Sequence, residues 1–269
     1  DFLAMLCEYG QNRGMGFDPS YEADREPQKK SSRFRVIQDY YAEPYHDHTA
    51  DLICCRHVLE HIQYPCDFLN SVRKTIGDQS QVIVFFEVPD VMYTLNDMGV
   101  WDLIYEHCGY FTSKSLDYAF KACGFKTLKL ETVFEGQFLC IDAKPAANGN
   151  SLTDRFDPSE HSFGRLIAEF SQKYHSKKKH WSEELDRMAS AGKKGVIWGG
   201  GSKGVTFSNV VNASQVLKYV VDINPHKQGK YVPGTGQEIV SPEFLAAHRP
   251  DVILVMNPNY LSEVRKRVE

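Results

Sequence analysis

ADLICCRHVLEHI, residues 50–62, is apolar from Leu52 to Cys55 and turns charged at Arg56 and His57. A short apolar run that stops abruptly at charged residues reads as a buried central strand with its carboxyl end facing polar surroundings. The continuation HVLEHIQYPCDFLNSVRKTIG (57–77) reads as a short helical turn, a break at Pro65 and an amphipathic helix stopped by Gly77. QVIVFFEVP (81–89) is a second buried strand. Upstream lie RFRVIQDYY (33–41), a short strand ending in GMGFDPS (14–20), and an opening helix, DFLAMLCEYG (1–10), that stops at Gly10. Strands alternate with helices through about residue 90, which predicts a parallel sheet with helices on both faces.

The chain then changes character. Residues 91–112 are rich in aromatics, and a helix, SKSLDYAFKACGF (113–125), leads into two strands, TLKLETVFEG (127–136) and QFLCIDAKP (137–145). AANGNSLTDRFDPSE (146–160) is small and polar, which marks a boundary. A long polar helix over roughly 160–190 bridges to a second βαβ unit: the strand of GVIWGGG (195–201), a helix, LKYVVDINP (217–225), a helix from Ser241 and DVILVMNP (251–258). The expected organisation is an α/β unit over 1–147, a linker and bridging helix over 148–191, and a smaller α/β unit over 192–269.

Composition narrows the function. A net charge of −4 with both signs mixed along the chain leaves no footprint for nucleic acid, and the basic run at 177–179 reads as a solvated helix face. No stretch reaches the roughly 18 to 20 apolar residues that span a bilayer, and no basic-then-apolar leader opens the sequence. A soluble, cytoplasmic protein without a membrane partner is expected. The seven cysteines are scattered, odd in number and never spaced as CxxC, so neither a disulfide scaffold nor a metal site is expected.

Two places carry candidate chemistry. In open α/β sheets the ligand lies at the carboxyl ends of the strands, where an acid often takes ribose hydroxyls. Asp18 stands at such an end, and Asp39 ends the next strand, where a carboxylate can accept from an adenine amino group; each also reads as an ordinary turn residue. In the second unit Gly199, Gly201 and Gly204 satisfy G-x-G-x-x-G after a strand, and Asp222 ends the following strand. A nicotinamide oxidoreductase would use this loop on a pyrophosphate and Asp222 on a ribose. The loop, with Ser202 and charge from Lys203, could equally cradle the diphosphate of a nucleotide-sugar, or only pack.

The series GFDPS, QDYY, ADLICCRHVLEHI and WDLIYEHCGYFT (101–112) resembles the class I S-adenosylmethionine (SAM) dependent methyltransferases, more narrowly those that methylate carbon on nucleotide-linked sugars. WGGGSKGVTFSN (198–209) and VVDINPHKQGKYVPGTG (220–236) resemble that family's C-terminal domain. HVLEH is shared widely among methyltransferases, whereas YEHCGYF, GGGSKG and DINPHKQGKYVPG are more specific. The resemblance implies a Rossmann-like sheet closed by a terminal strand pair, SAM as cofactor and a nucleotide-sugar as substrate. The family begins with a small zinc-binding domain and carries a glycine-rich SAM loop after its first strand. Neither stretch is in this sequence, and a truncation ahead of Asp1 is expected. A noncatalytic remnant that only binds nucleotide-sugar is the other reading.

Carbon methylation needs a carbanion equivalent, which a carbon beside a ketone supplies once a base takes its proton and a donor steadies the enolate. His107 suits the base, with Glu106 orienting it and Tyr105 or Tyr110 donating to the enolate oxygen. The resemblance carries Glu106 and His107 into the active site; many relatives read Tyr-His-Glu-His, one residue longer than the Tyr-Glu-His found here. Arg56 and His57 end a strand near the expected SAM position. His61 reads as a structural residue, since HVLEH is not the metal-binding HExxH.

Overall fold

The computed structural model describes residues 2–22, 33–41, 43–45, 48, 50–147 and 163–268. Helix α1 (Phe2–Gly10) buries Ala4 and Cys7 and lies directly over the start of β1 (Gly14–Phe17). A side chain at Gly14 would meet Leu3 at 2.5 Å and Cys7 at 2.7 Å, so only glycine allows this approach. β1 pairs in parallel with β2 (Phe34–Ile37), and their register sets Phe17 opposite Ile37. Asp18 and Asp39 therefore follow on the same carboxyl edge.

β3 (Leu52–Arg56) leads through a 3-10 turn at Leu59–His61 into α2 (Pro65–Ile76). Pro65 opens α2, where a missing N–H costs nothing, and Gly77 ends it at φ 58°. The helix buries Leu69, Val72 and Ile76 against β4 (Ile83–Pro89), which runs parallel to β3. Asp90 caps α3 (Val91–Asn96) by accepting from the Met92 N–H at 2.8 Å. Thr112 and Ser115 form a reciprocal capping box at the start of α4 (Ser113–Ala122). β5 (Phe125–Val133) and β6 (Phe138–Pro145) are the expected antiparallel pair, and β6 inserts beside β4 to give the order β3-β4-β6-β5.

One expectation is corrected here. β3 is not a central strand among the described residues: it lies at the edge of this sheet, with Leu52 45% exposed and the rest half-buried. The buried centre is β4, where Phe86 meets Phe120 of α4 edge-on with ring centroids 5.2 Å apart, and Phe125 of β5 adjoins Phe120.

The boundary predicted within 146–160 falls, from residue 148 onward, outside the described residues. α5 (Phe163–Ser190) realises the long polar helix and buries Leu185. β7 (Gly195–Trp198), α6 (Ser202–Val211), β8 (Leu217–Val221), β9 (Glu238–Val240), α7 (Phe244–His248), β10 (Val252–Val255) and α8 (Leu261–Val268) complete the chain. The four strands are all parallel, in the order β10-β7-β8-β9. Both units are α/β and Rossmann-like, but among the described residues the strands before residue 90 form two parallel pairs, β1–β2 and β3–β4, in separate sheets rather than the single parallel sheet that the alternation predicted. Among the described residues no helix is long and apolar enough to cross a membrane.

Candidate active site

The carboxyl ends of β3 and β4 meet in a cluster of charge. Arg56 and Glu87 are register partners on the two strands, and the guanidinium donates to the buried Glu87 carboxylate from Nη2 at 2.7 Å and Nε at 3.1 Å. Arg56 also lies over the Phe2 ring of α1 at 4.5 Å. The next residue, His57, adopts φ 53°, a left-handed conformation that turns the chain sharply out of the strand. Its Nε2 lies 2.7 Å from Glu87 and its Nδ1 3.6 Å from Glu60. Glu60 is 1% exposed, and its Oε2 is a buried oxygen without a hydrogen-bond partner.

Glu60 also organises the segment that carries the candidate base. Its backbone carbonyl accepts from the N–H groups of Cys108 (2.8 Å) and Gly109 (3.0 Å), and His61 Nδ1 lies 3.1 Å from the Glu106 carbonyl. These contacts bring the His61 and His107 rings together edge-to-face at 4.8 Å, with Tyr110 at 6.3 Å on His107. His61 thus joins the turn after β3 to the segment that carries His107. The two tyrosines part company: Tyr105 is 99% exposed, whereas Tyr110 packs beside His107. Glu106 is exposed. Glu60, His61 and His107 offer ligand atoms within 4.8 Å of one another, a set that can hold a cation.

Two of the histidines are pushed in opposite directions. Burial holds the His107 pKa below its ordinary value, with His61 adding to the effect against the pull of Glu60, Asp102 and Glu106. That direction favours the neutral imidazole, the form that can accept a proton. His57 is raised, chiefly by its contact with deeply buried Glu60 and then, against burial, by Glu87. A raised histidine stabilises the fold fully below its unfolded value near pH 6.5, and that contribution fades as pH rises through the folded value. Histidine titration followed by NMR should show His57 losing its proton above, and His107 below, about pH 6.5; the reverse order would overturn this electrostatic picture.

The other expected ligands make local contacts of their own. Asp18 is exposed past β1, and its Oδ1 accepts from the Ser20 N–H (2.8 Å) and hydroxyl (2.7 Å). Asp39 is exposed past β2; it accepts from the Tyr45 hydroxyl at 2.6 Å and the Tyr40 N–H at 2.7 Å, and these bonds, Tyr45's first, hold its pKa below the usual value. In the second unit Gly199 takes φ 116°, and a side chain at Gly204 would collide with the Gly199 carbonyl, so the loop packs tightly onto α6. Asp222 turns inward: it accepts from the Gly200 N–H at 2.9 Å and pairs with Lys227 at 3.3 Å. Lys203 extends from α6 to Asp102.

Residues 2–130 match the methyltransferase-domain family, and residues 160–269 match the family described as the C-methyltransferase C-terminal domain. The chain thus joins a methyltransferase domain to a C-methyltransferase C-terminal domain. It is 26% identical over 224 residues to the C-methyltransferase NovU of Streptomyces niveus, an alignment covering 80% of this chain and 53% of NovU. The chain thus spans about half the length of that curated relative. Among solved structures it is similar to the dimethyltransferase RosA of Streptomyces davawensis (18% identity, TM-score 0.44, 54% of this chain and 46% of RosA). It is also similar to the O-methyltransferase NcsB1 from neocarzinostatin biosynthesis, solved with SAM (14% identity, TM-score 0.44, 54% and 45%). SAM is the cofactor that goes with the methyltransferase domain.

Sequence reasoning did not foresee the contacts that Glu60, Glu87, His61 and Asp102 make. Glu87 did carry a signal, as the lone charge inside the apolar run QVIVFFEVP.

Proposed function

We propose that this methyltransferase moves a methyl group from SAM to the carbon beside the ketone of a nucleotide-linked sugar, with His107 as the base. The observation that carries the reading is a half-buried His107, its pKa held down by burial, that packs against His61 and Tyr110 on a segment pinned to the turn after β3. Its lone pair takes the proton next to the carbonyl, the Tyr110 hydroxyl donates to the developing enolate oxygen, and Glu106 stands beside the imidazole that becomes charged. Tyr105, facing solvent, is the weaker donor candidate.

The residues present fit SAM. Ribose hydroxyls and an adenine amino group are donors, and Asp18 and Asp39 supply acceptors at neighbouring strand ends, while Arg56 and His57 lie at the end of β3. When bound, SAM supplies an electrophilic methyl on a sulfonium. On this reading residues 1–147 hold the cofactor and the base. Residues 192–269 hold the nucleotide part of the substrate, with the diphosphate on the backbone of Gly199, Gly201, Ser202 and Gly204 at the start of α6 and Asp222 shaping the loop. The setting is cytoplasmic and the partner a small molecule, neither membrane nor nucleic acid.

Calorimetric titration with SAM or its demethylated product tests the cofactor half. Asp18→Ala and Asp39→Ala should each weaken binding by roughly 10-fold to 140-fold, the range of a lost hydrogen bond to a charged group. Unchanged affinity in both variants would remove the ribose and adenine assignments.

A further inference from the structure

The glycine loop's lysine grips the other unit. Lys203 Nζ lies 2.9 Å from Asp102 Oδ2 and donates to Gln137 Oε1 at 2.8 Å, over the Tyr93 ring at 5.7 Å. Both ends of the Lys203–Asp102 bridge are about four-fifths buried, with side chains 21% and 19% exposed, so it is far less screened than a surface pair. Gln137 is itself buried and bonded to Asn257 after β10. Next to Asp102, Trp101 meets Phe207 of α6 edge-on at 5.0 Å, and Trp181 of α5 covers the other side of Phe207 at 5.2 Å. Lys177 of α5 donates to the Met98 carbonyl at 2.7 Å and lies over the Trp101 ring at 5.6 Å.

Segment 98–102 is thus held at its carbonyl, its indole and its carboxylate by α5 and α6, and it runs directly into Tyr105, Glu106 and His107. The His107 N–H closes a turn onto the Ile104 carbonyl at 3.1 Å, and the chain is then pinned to Glu60. The base therefore sits on a short span anchored at both ends, once in each unit.

We propose that Lys203 is a positioning residue: through Asp102 it fixes the approach of the His107 segment, so that the C-terminal unit sets the geometry of proton abstraction. The role differs from a phosphate contact, which would make Lys203 matter to substrate affinity. It rests on the reading of His107 as the base, and the test keeps the two apart. Small displacements of a reacting group carry large rate penalties.

The experiment compares Lys203→Met, Lys203→Arg and Asp102→Asn in the full chain by hydrogen–deuterium exchange of the backbone and by kinetics with a nucleoside-diphosphate ketosugar. Lys203→Met should speed amide exchange across 98–110, lower kcat by roughly 10-fold or more and leave KM nearly unchanged. Lys203→Arg should restore much of the rate, and Asp102→Asn should reproduce the loss without adding to it when the two changes are combined. A raised KM at unchanged kcat would assign Lys203 to the substrate phosphate and overturn the proposal; so would unaltered exchange over 98–110. Asp102→Asn keeps the test open should Lys203→Met fail to fold. If exchange rises across 98–110 while the wild-type chain abstracts no substrate proton, the clamp stands as structure and both the positioning role and the reading of His107 fail; if the wild type abstracts the proton and only the variants' kcat is unmoved, positioning alone fails.

Discussion

His107→Gln should lower turnover on a nucleotide-linked ketosugar by about 100-fold or more, because the amide keeps polarity and approximate size but has no basic nitrogen near neutral pH. Substrate binding should survive. The pH profile carries a second signature. Burial depresses the His107 pKa, so the base is competent above its folded value and is lost as pH falls through it. The acid limb of kcat/KM should lie below about pH 6.5. A limb well above that value would point to His57, whose pKa is raised by Glu60 and Glu87. A His107→Gln variant with wild-type turnover would move the base elsewhere, with Glu106 next in line.

Phe86→Ala should destabilise the first unit by about 3–5 kcal/mol, the cost of emptying a fully buried aromatic site. Phe86 is 0% exposed at the centre of β4, and its ring meets Phe120 edge-on and Phe68 at a tilt. Those neighbours sit on two helices that cannot both close onto the void while β3 and β6 hold β4 in register. With two units in one chain, unfolding must be followed by a probe specific to the first, such as exchange at the β4 and β6 amides. A loss under about 1 kcal/mol would mean that the core is centred elsewhere.

Local pattern was enough for the elements that bury one face or both. QVIVFFEVP, the Pro65-to-Gly77 helix and the terminal strand pair form within two or three residues of where the pattern put them, because each signal lies within the element itself. Position in a sheet is not local. The run LICC is as apolar as a central strand, yet β3 lies at an edge, since its neighbours are decided by pairing with distant segments. β9, three residues long after a glycine-rich loop, carries too little pattern to read.

The site divides along the same line. The strand-end positions of Asp18 and Asp39 were legible because a strand end is a local feature, and the parallel register then sets both on one edge. His61 was not: its contact with the Glu106 carbonyl spans 45 residues, and nothing near HVLEH announces it. The glycine motif was read as a loop after a strand, and it lies between β7 and α6. What it grips lay beyond local reading, because Lys203 meets Asp102 across 101 residues.

Hydrogen exchange at the substrate isolates the central claim from methyl transfer. The chain is incubated in deuterium oxide, without SAM, with a nucleoside-diphosphate ketosugar, and the sugar is followed by NMR. Abstraction by His107 predicts deuterium appearing at the carbon beside the ketone with the wild-type chain, and appearing on the order of 100-fold more slowly with His107→Gln. Wash-in at the wild-type rate in the variant would contradict the account.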